Sequence, residues 1–285
     1  MNNVIADYAP KSVVVGIDGS PAAVAAAQWG ADEALRHHAA LELLYVVDRN
    51  RAFTPSVVKA QFSVAQAALQ DAHAAVKATH ESVRIQLETV EGDPGTTLTE
   101  ASRSAALLCV GSPKAAPHGP SDSLAANMAT SAHCSVAVVP ATEFAVRPRR
   151  GWLVVLLHNS TDEYEVLQQA MEEALLRELG LRVVMTDRDS STDMRFNPTS
   201  IQSRCALAVL DEHLVNWTRR YPGIDTCFVH TERSVHYVEQ HEGSIESVVL
   251  GAENRDEVAQ LVELTRSKTL HDANFSVLVV RGQHF

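Results

Sequence analysis

Residues 12–20 read SVVVGIDGS, and residues 152–160 read WLVVLLHNS. Each is a run of apolar, largely β-branched residues that breaks into a polar turn. A run of this length bounded by turn residues predicts a strand buried on both faces. A helical pattern follows each one, over 21–38 and over 162–178. Pro21 directly after Ser20 predicts a capped helix start with proline in the first turn. A second apolar run comes next, LELLYVVD from Leu41 and LRVVM from Leu181. Ser20 and Ser160, Leu41 and Leu181, and Gly111 and Gly251 each stand 140 residues apart, and Val136 and Val277 stand 141 apart. A near-constant offset through four landmarks identifies an internal duplication. The segment AVRPRRG over 145–151 is basic and contains proline, as a linker between copies should be. The domains are therefore expected at 1–144 and 151–285.

Each copy reads β-α-β-α-β-α-β-α-β. Strands are expected at 12–17, 41–47, 83–90, 105–110 and 135–139, then at 152–157, 181–186, 224–230, 246–250 and 276–280. Helices are expected at 21–38, 56–79, 94–103 and 122–132, then at 162–178, 197–220, 233–241 and 254–271. Strands alternating with helices predict an α/β fold: two tandem five-stranded parallel sheets, each covered by helices on both faces and joined by right-handed crossovers. Ligands of such sheets sit beyond the carboxyl ends of the strands, where the strand order reverses. In each copy that place is the turn after the first strand, facing the turn after the fourth.

Composition narrows the function classes. The chain has 285 residues, 46% hydrophobic and 21% charged, with a net charge of −11. Nucleic acid and anionic membrane both require clustered positive charge, so neither is an expected partner. No apolar run reaches the length of a membrane span, and the first residues lack a basic-then-apolar leader, so a cytoplasmic location is expected. The four cysteines, Cys109, Cys134, Cys205 and Cys227, form no C-x-x-C pair and read as reduced, mostly buried thiols. The 13 histidines are scattered without a ligand pattern, so no metal is expected. No Ser/His/Asp set and no paired-carboxylate motif emerges, so an enzyme is not expected.

The segments VVVGIDGSPAAVAAAQWGADEA, LELLYVVD, LLCVGSPK and SDSLAANMATSAHCSVAVVP in the first copy resemble the opening and closing segments of a universal stress protein domain. LVNWTRRYP over 214–222 resembles the matching segment of the tandem forms found in actinobacteria. The resemblance implies an adenine-nucleotide alpha-hydrolase-like fold. It also implies that the two copies pair through their fifth strands, 136–139 and 277–280, and that two chains can form a homodimer. Many members bind ATP through an acidic residue after the first strand and a loop G-x2-G-x9-G-[ST] after the fourth. Glycines there let backbone N–H groups approach phosphate at a helix N-terminus.

Carried onto this chain, the resemblance gives Asp18, Gly19 and Ser20 as the first turn, and Val46 as the residue flanking adenine. Gly111 and Ser112 open the loop, Lys114 stands at its second glycine position, and Ser123 closes it. The last glycine position is Asp122, and the loop is two residues short. Asp122 is expected to cap the following helix and to repel a triphosphate. Three outcomes stay open for the first copy: ATP as cofactor, a weaker ligand such as AMP or ADP, or a pocket that is only structural. Asp18 also reads as an ordinary turn residue.

In the second copy His158 replaces Asp18. Asn254 and Glu257 form an N-x-x-E capping pattern, and residues 255–270 read as one uninterrupted helix in place of the phosphate loop. Nucleotide binding there is expected to be lost. Two functions follow as expectations. One is a non-enzymatic stress-response protein acting through an unidentified protein partner, with ATP binding weakened or lost. The other is an ATP-responsive switch using only the first copy.

Overall fold

The computed structural model describes residues 11–48, 55–112, 123–141, 151–158, 163–186, 219–266 and 275–282. The chain divides into two compact units, Met1–Glu143 and Phe144–Phe285.

In the first unit β1 (Val13–Ile17), α1 (Pro21–Arg36), β2 (Leu41–Asp48), α2 (Pro55–Thr79), β3 (Ile85–Gly92), α3 (Pro94–Ala101), β4 (Leu107–Ser112), α4 (Leu124–Ser131) and β5 (Ser135–Pro140) follow in order. The strands lie β3-β2-β1-β4-β5, all parallel. Val13, Val14 and Val15 are fully buried because helices cover both faces of β1. The alternation of Cβ direction along the strands shows which helix covers which face. Gly30 of α1 lies against Val15 and Cys109, whereas Leu98 of α3 lies against Gly16, the next residue along β1, on the opposite face. Gly30 is small because a Cβ there would come within 3.2 Å of both Val15 and Cys109.

The second unit repeats the plan with β6 (Trp152–Leu157), α5 (Glu163–Leu176), β7 (Gly180–Met185), β8 (Thr226–His230), α6 (Ser234–His241), β9 (Ile245–Gly251), α7 (Arg255–Leu264) and β10 (Ser276–Val280). Its strands lie β8-β7-β6-β9-β10, again parallel. The duplication reaches fine detail. Glu33 and Glu173, 140 residues apart, are both buried near the ends of α1 and α5 and pair with Arg36 and Arg177. His38 and Glu178, also 140 apart, both adopt left-handed backbone with φ of 52° and 56°. After each, the next N–H reaches back five residues, Ala39 to Ala34 and Leu179 to Ala174. This is a Schellman helix end built without glycine.

It also shifts a boundary. The helix expected to reach residue 38 ends at Arg36, since left-handed backbone cannot continue a right-handed helix. The helix expected over 254–271 closes at Leu264, because the Thr265 hydroxyl donates to the Val262 carbonyl and the Arg266 N–H to Glu263. The helix expected over 197–220 lies almost wholly outside the described residues. Cys109 and Cys134 are buried, whereas Cys227, expected inside, is exposed on the edge strand β8. No helix among the described residues is long and apolar enough to cross a membrane.

Candidate functional site

The first-unit site starts at the turn after β1. The Asp18 carboxylate accepts the Ser20 N–H at 2.8 Å, closing an Asx turn. Gly19 between them has φ 83°, a left-handed conformation that glycine adopts without strain. Ser20 then caps α1, its hydroxyl accepting the Ala23 N–H at 3.2 Å. Asp-Gly-Ser is thus a complete strand-to-helix turn in its own right. It leaves the Asp18 carboxylate exposed at the carboxyl edge of the sheet.

A cleft of about 440 Å³ opens there, at the ends of β1, β2 and β4. Its volume suits a small organic ligand. The position is the strand-order reversal between β1 and β4, where parallel sheets collect ligands. Asp18, Val46 and Gly111 line the cleft, so the structure gathers these three predicted residues into one place. Gly19, Ser20, Ser112 and Ser123 are not among its walls, although Leu124, directly after Ser123, is. Lys114 and Asp122 lie outside the described residues. Tyr45, Asp48, Gln61, Pro94 and Leu98 also line it and were not identified from the sequence. Asp48 ends an apolar strand and could have been found by that position. Gln61 sits inside a long helix, and only packing of α2 beside β2 brings it to the cleft.

Several residues read as phosphate-binding have structural employment. A Cβ on Gly111 would come within 2.6 Å of the Ala22 carbonyl carbon and the Ala23 nitrogen. The glycine is required by the close approach of α1 to the end of β4, whatever the cleft holds. Ser112 is fully buried beside β5. The cap of α4 is Ser123, whose hydroxyl accepts the Ala126 N–H at 3.4 Å, rather than the expected Asp122. The reason is one of register: α4 starts at Leu124, which puts Ser123 at the capping position.

At the equivalent place the second unit brings its own side chains together. His158 follows β6 as Asp18 follows β1, and its Nε2 pairs with the Glu257 carboxylate at 2.8 Å. Glu257 is buried, and His158 is 16% exposed. The Ser234 hydroxyl donates to the other Glu257 oxygen. Asn254 caps α7, accepting the Glu257 N–H at 3.4 Å while its own amide donates to Glu257 at 3.3 Å. The capping pattern read from the sequence is real, with the return bond going to the Asn254 side chain. Only residues 252–254 separate β9 from α7. This cluster is not a hydrolytic triad. In a triad the hydroxyl gives its proton to the imidazole; here it bonds the carboxylate, which separates serine from histidine. Among the described residues, no three His, Cys, Asp or Glu side chains are grouped to hold a metal ion.

The chain was compared with known proteins. The model of the universal stress protein family matches residues 10–140. Universal stress protein Rv2028c of Mycobacterium tuberculosis is 33% identical over 298 residues, covering 97% of this chain and 98% of that protein. Universal stress protein Rv3134c of the same organism is 40% identical over 216 residues, 75% of this chain and 78% of that one. Among solved structures, a universal stress protein from Archaeoglobus fulgidus superposes with a TM-score of 0.68 at 12% identity, covering 95% of this chain and 96% of its own, a likeness of fold. With the duplicated parallel sheets and full-length relatives on both sides of the linker, the chain belongs to the universal stress protein family.

Proposed function

We propose that this protein acts in the stress response without catalysing a reaction. In this reading the first unit holds an adenine nucleotide chiefly through its base and ribose, and the second unit works through contacts with other proteins. The observation that carries it is the asymmetry of the two sites. The first keeps an open 440 Å³ cleft with Asp18 at its edge. The second has His158 and Glu257 paired across the matching position.

Weak hold on a triphosphate follows from the same groups. The Ser20 and Ser123 hydroxyls already accept helix N–H groups, and the Gly111 backbone is pressed against α1. Two carboxylates, Asp18 and Asp48, line the cleft and repel added negative charge. Both carboxylates accept hydrogen bonds, which suits ribose hydroxyls. A cytoplasmic role without nucleic acid or membrane accords with the net charge of −11.

The test is titration calorimetry of the whole protein with AMP, ADP and ATP, with and without magnesium, beside Asp18→Ala. The reading expects AMP to bind at least as tightly as ATP, and Asp18→Ala to weaken every ligand. Tight ATP binding that requires magnesium would replace it with the second reading, an ATP-responsive switch in the first unit. A folded protein that binds none of the three at millimolar concentration would leave protein contacts as the sole function.

A further inference from the structure

We propose that the open edge of β3 is a docking site for an extended protein segment in which apolar residues alternate with lysine or arginine, bound as an added strand of the first-unit sheet. Leu87, Glu88 and Thr89, which would make the contact, do not line the nucleotide cleft, so this surface is independent of the nucleotide reading.

The backbone of the edge is unpaired. β3 stands at the end of its strand order and pairs with β2 alone. The Leu41 N–H donates to the Arg84 carbonyl at 2.8 Å, which fixes the phase of the ladder. Successive residues of a strand turn their N–H and C=O to opposite sides. Gln86 and Glu88 therefore bond β2, while Ile85, Leu87 and Thr89 turn theirs to the open edge. Such a row of free donors and acceptors is a template for another strand. The two faces of the edge differ in chemistry. On one, a groove of about 400 Å³ lies between α2 and β3, its walls including Phe62, Leu69, Leu87 and Thr89. Among the described residues no β2 side chain reaches it, so it runs along the outermost strand. Leu87 is 39% exposed there. On the other face Glu88 lines a second hollow together with Glu42. The Ser12 hydroxyl donates to Glu42 at 3.3 Å, but among the described residues neither carboxylate has a cation beside it. Burial and then the neighbouring Glu88 raise the Glu42 pKa, so the two charges oppose each other and a cation would relieve both.

One occupant satisfies all of these groups. An added strand sends alternate side chains to opposite faces. Those on the α2 side meet Leu87 and the groove, and those on the other side meet Glu88. Main-chain bonds then supply affinity and the alternating pattern supplies specificity. A second copy of β3 would instead set glutamate beside glutamate, which is unfavourable.

The probe is a blocked peptide of about six residues, an ordinary strand length, alternating lysine and valine. It is titrated into the whole protein beside two comparison peptides. One has the same composition with the lysines grouped ahead of the valines, and the other has glutamate in place of lysine. Wild type is expected to bind the alternating lysine peptide on the order of tenfold more tightly than either. Thr89→Pro deletes an edge N–H that β2 does not use, a place where a strand accepts proline, and is expected to lose that preference with the charge unchanged. Glu88→Gln is expected to weaken the lysine peptide and not the glutamate one. Equal binding of the alternating and grouped peptides, or full binding by Thr89→Pro, would mean plain attraction to an acidic protein and would overturn the proposal. So would no binding by wild type. Sedimentation of both proteins tests the rival occupant: a wild-type dimer that Thr89→Pro dissolves would assign the edge to a second copy and equally overturn it. Thermal melting is the folding control. Should Thr89→Pro melt well below wild type, Leu87→Lys, at an exposed side chain outside the ladder, replaces it and is expected to lose the same preference.

Discussion

Replacing Gly111 by alanine separates a ligand glycine from a packing glycine. The added Cβ would lie 2.6 Å from the Ala22 carbonyl carbon, 2.6 Å from the Ala23 nitrogen and 2.9 Å from the Ala22 Cβ. Ordinary carbon contacts begin near 3.5 Å, so roughly 1 Å of overlap must be relieved by moving backbone. No flexible side chain can absorb it, because all three atoms belong to the first turn of α1, two of them backbone and the third a Cβ. Overpacking a core typically costs about 1–3 kcal/mol, and a clash with backbone puts this case at about 3 kcal/mol or above. Gly251 is the internal control. Among the described residues, a Cβ there meets only Val166 Cγ2 at 3.4 Å, an ordinary contact. Gly251→Ala is expected to change stability by less than about 1 kcal/mol, with a small gain from the stiffer unfolded chain. Urea unfolding of both variants, without nucleotide, is the assay. Equal midpoints for Gly111→Ala and wild type would refute the packing assignment. If such a stable variant also lost nucleotide binding, the glycine would belong to the ligand after all.

Three further outcomes are expected. His158→Leu leaves the buried Glu257 carboxylate without its imidazole partner and should destabilise the second unit by about 3 kcal/mol, while His158→Leu with Glu257→Leu should recover most of it; urea unfolding of both would refute the idea if the double variant were no better. Ser123→Ala removes the hydroxyl that caps α4 and should cost about 1 kcal/mol with or without nucleotide present, measured by thermal melting; a loss confined to the nucleotide-bound protein would count against the cap. Glu42 has its pKa raised above the ordinary 4.5, first by burial and then by the neighbouring Glu88. Because the folded value is the higher one, ionisation penalises the folded state, and stability falls as pH rises through it. Glu42→Gln should therefore be more stable than wild type at neutral pH, with the advantage gone below about pH 4.5 in melts across that range; an advantage that persisted in acid would refute it.

Much of the fold could be read from local pattern. The runs at 13–17 and 153–157 are apolar throughout because both faces of their strands are covered, and such burial leaves its mark residue by residue. Ser20-Pro21 and Asn254 with Glu257 announced helix starts because a cap is made by neighbours in sequence. The constant spacing of the two copies exposed the duplication and, with it, the exchange of Asp18 for His158. The family resemblance followed from the same segments. The helix ends after Arg36 and Leu264 were misjudged. Left-handed backbone at His38 and the Thr265 hydroxyl bond stop those helices without the glycine or proline that usually marks a stop.

Only the tertiary structure decided what the site residues do. Gly111 looks the same in sequence whether its missing Cβ makes room for phosphate or for α1, because the atoms it would strike belong to residues almost ninety positions earlier. His158 alone reads as a turn residue; its partner Glu257 reaches it only when α7 folds against the end of β6. Gln61 has no local signature, since only the packing of α2 beside β2 brings it to the cleft. Sequence determined the strands, the caps and the repeat because these depend on short-range backbone geometry and one-dimensional burial. The chemistry of the cleft depends on distances between remote segments, and those exist only in the folded chain.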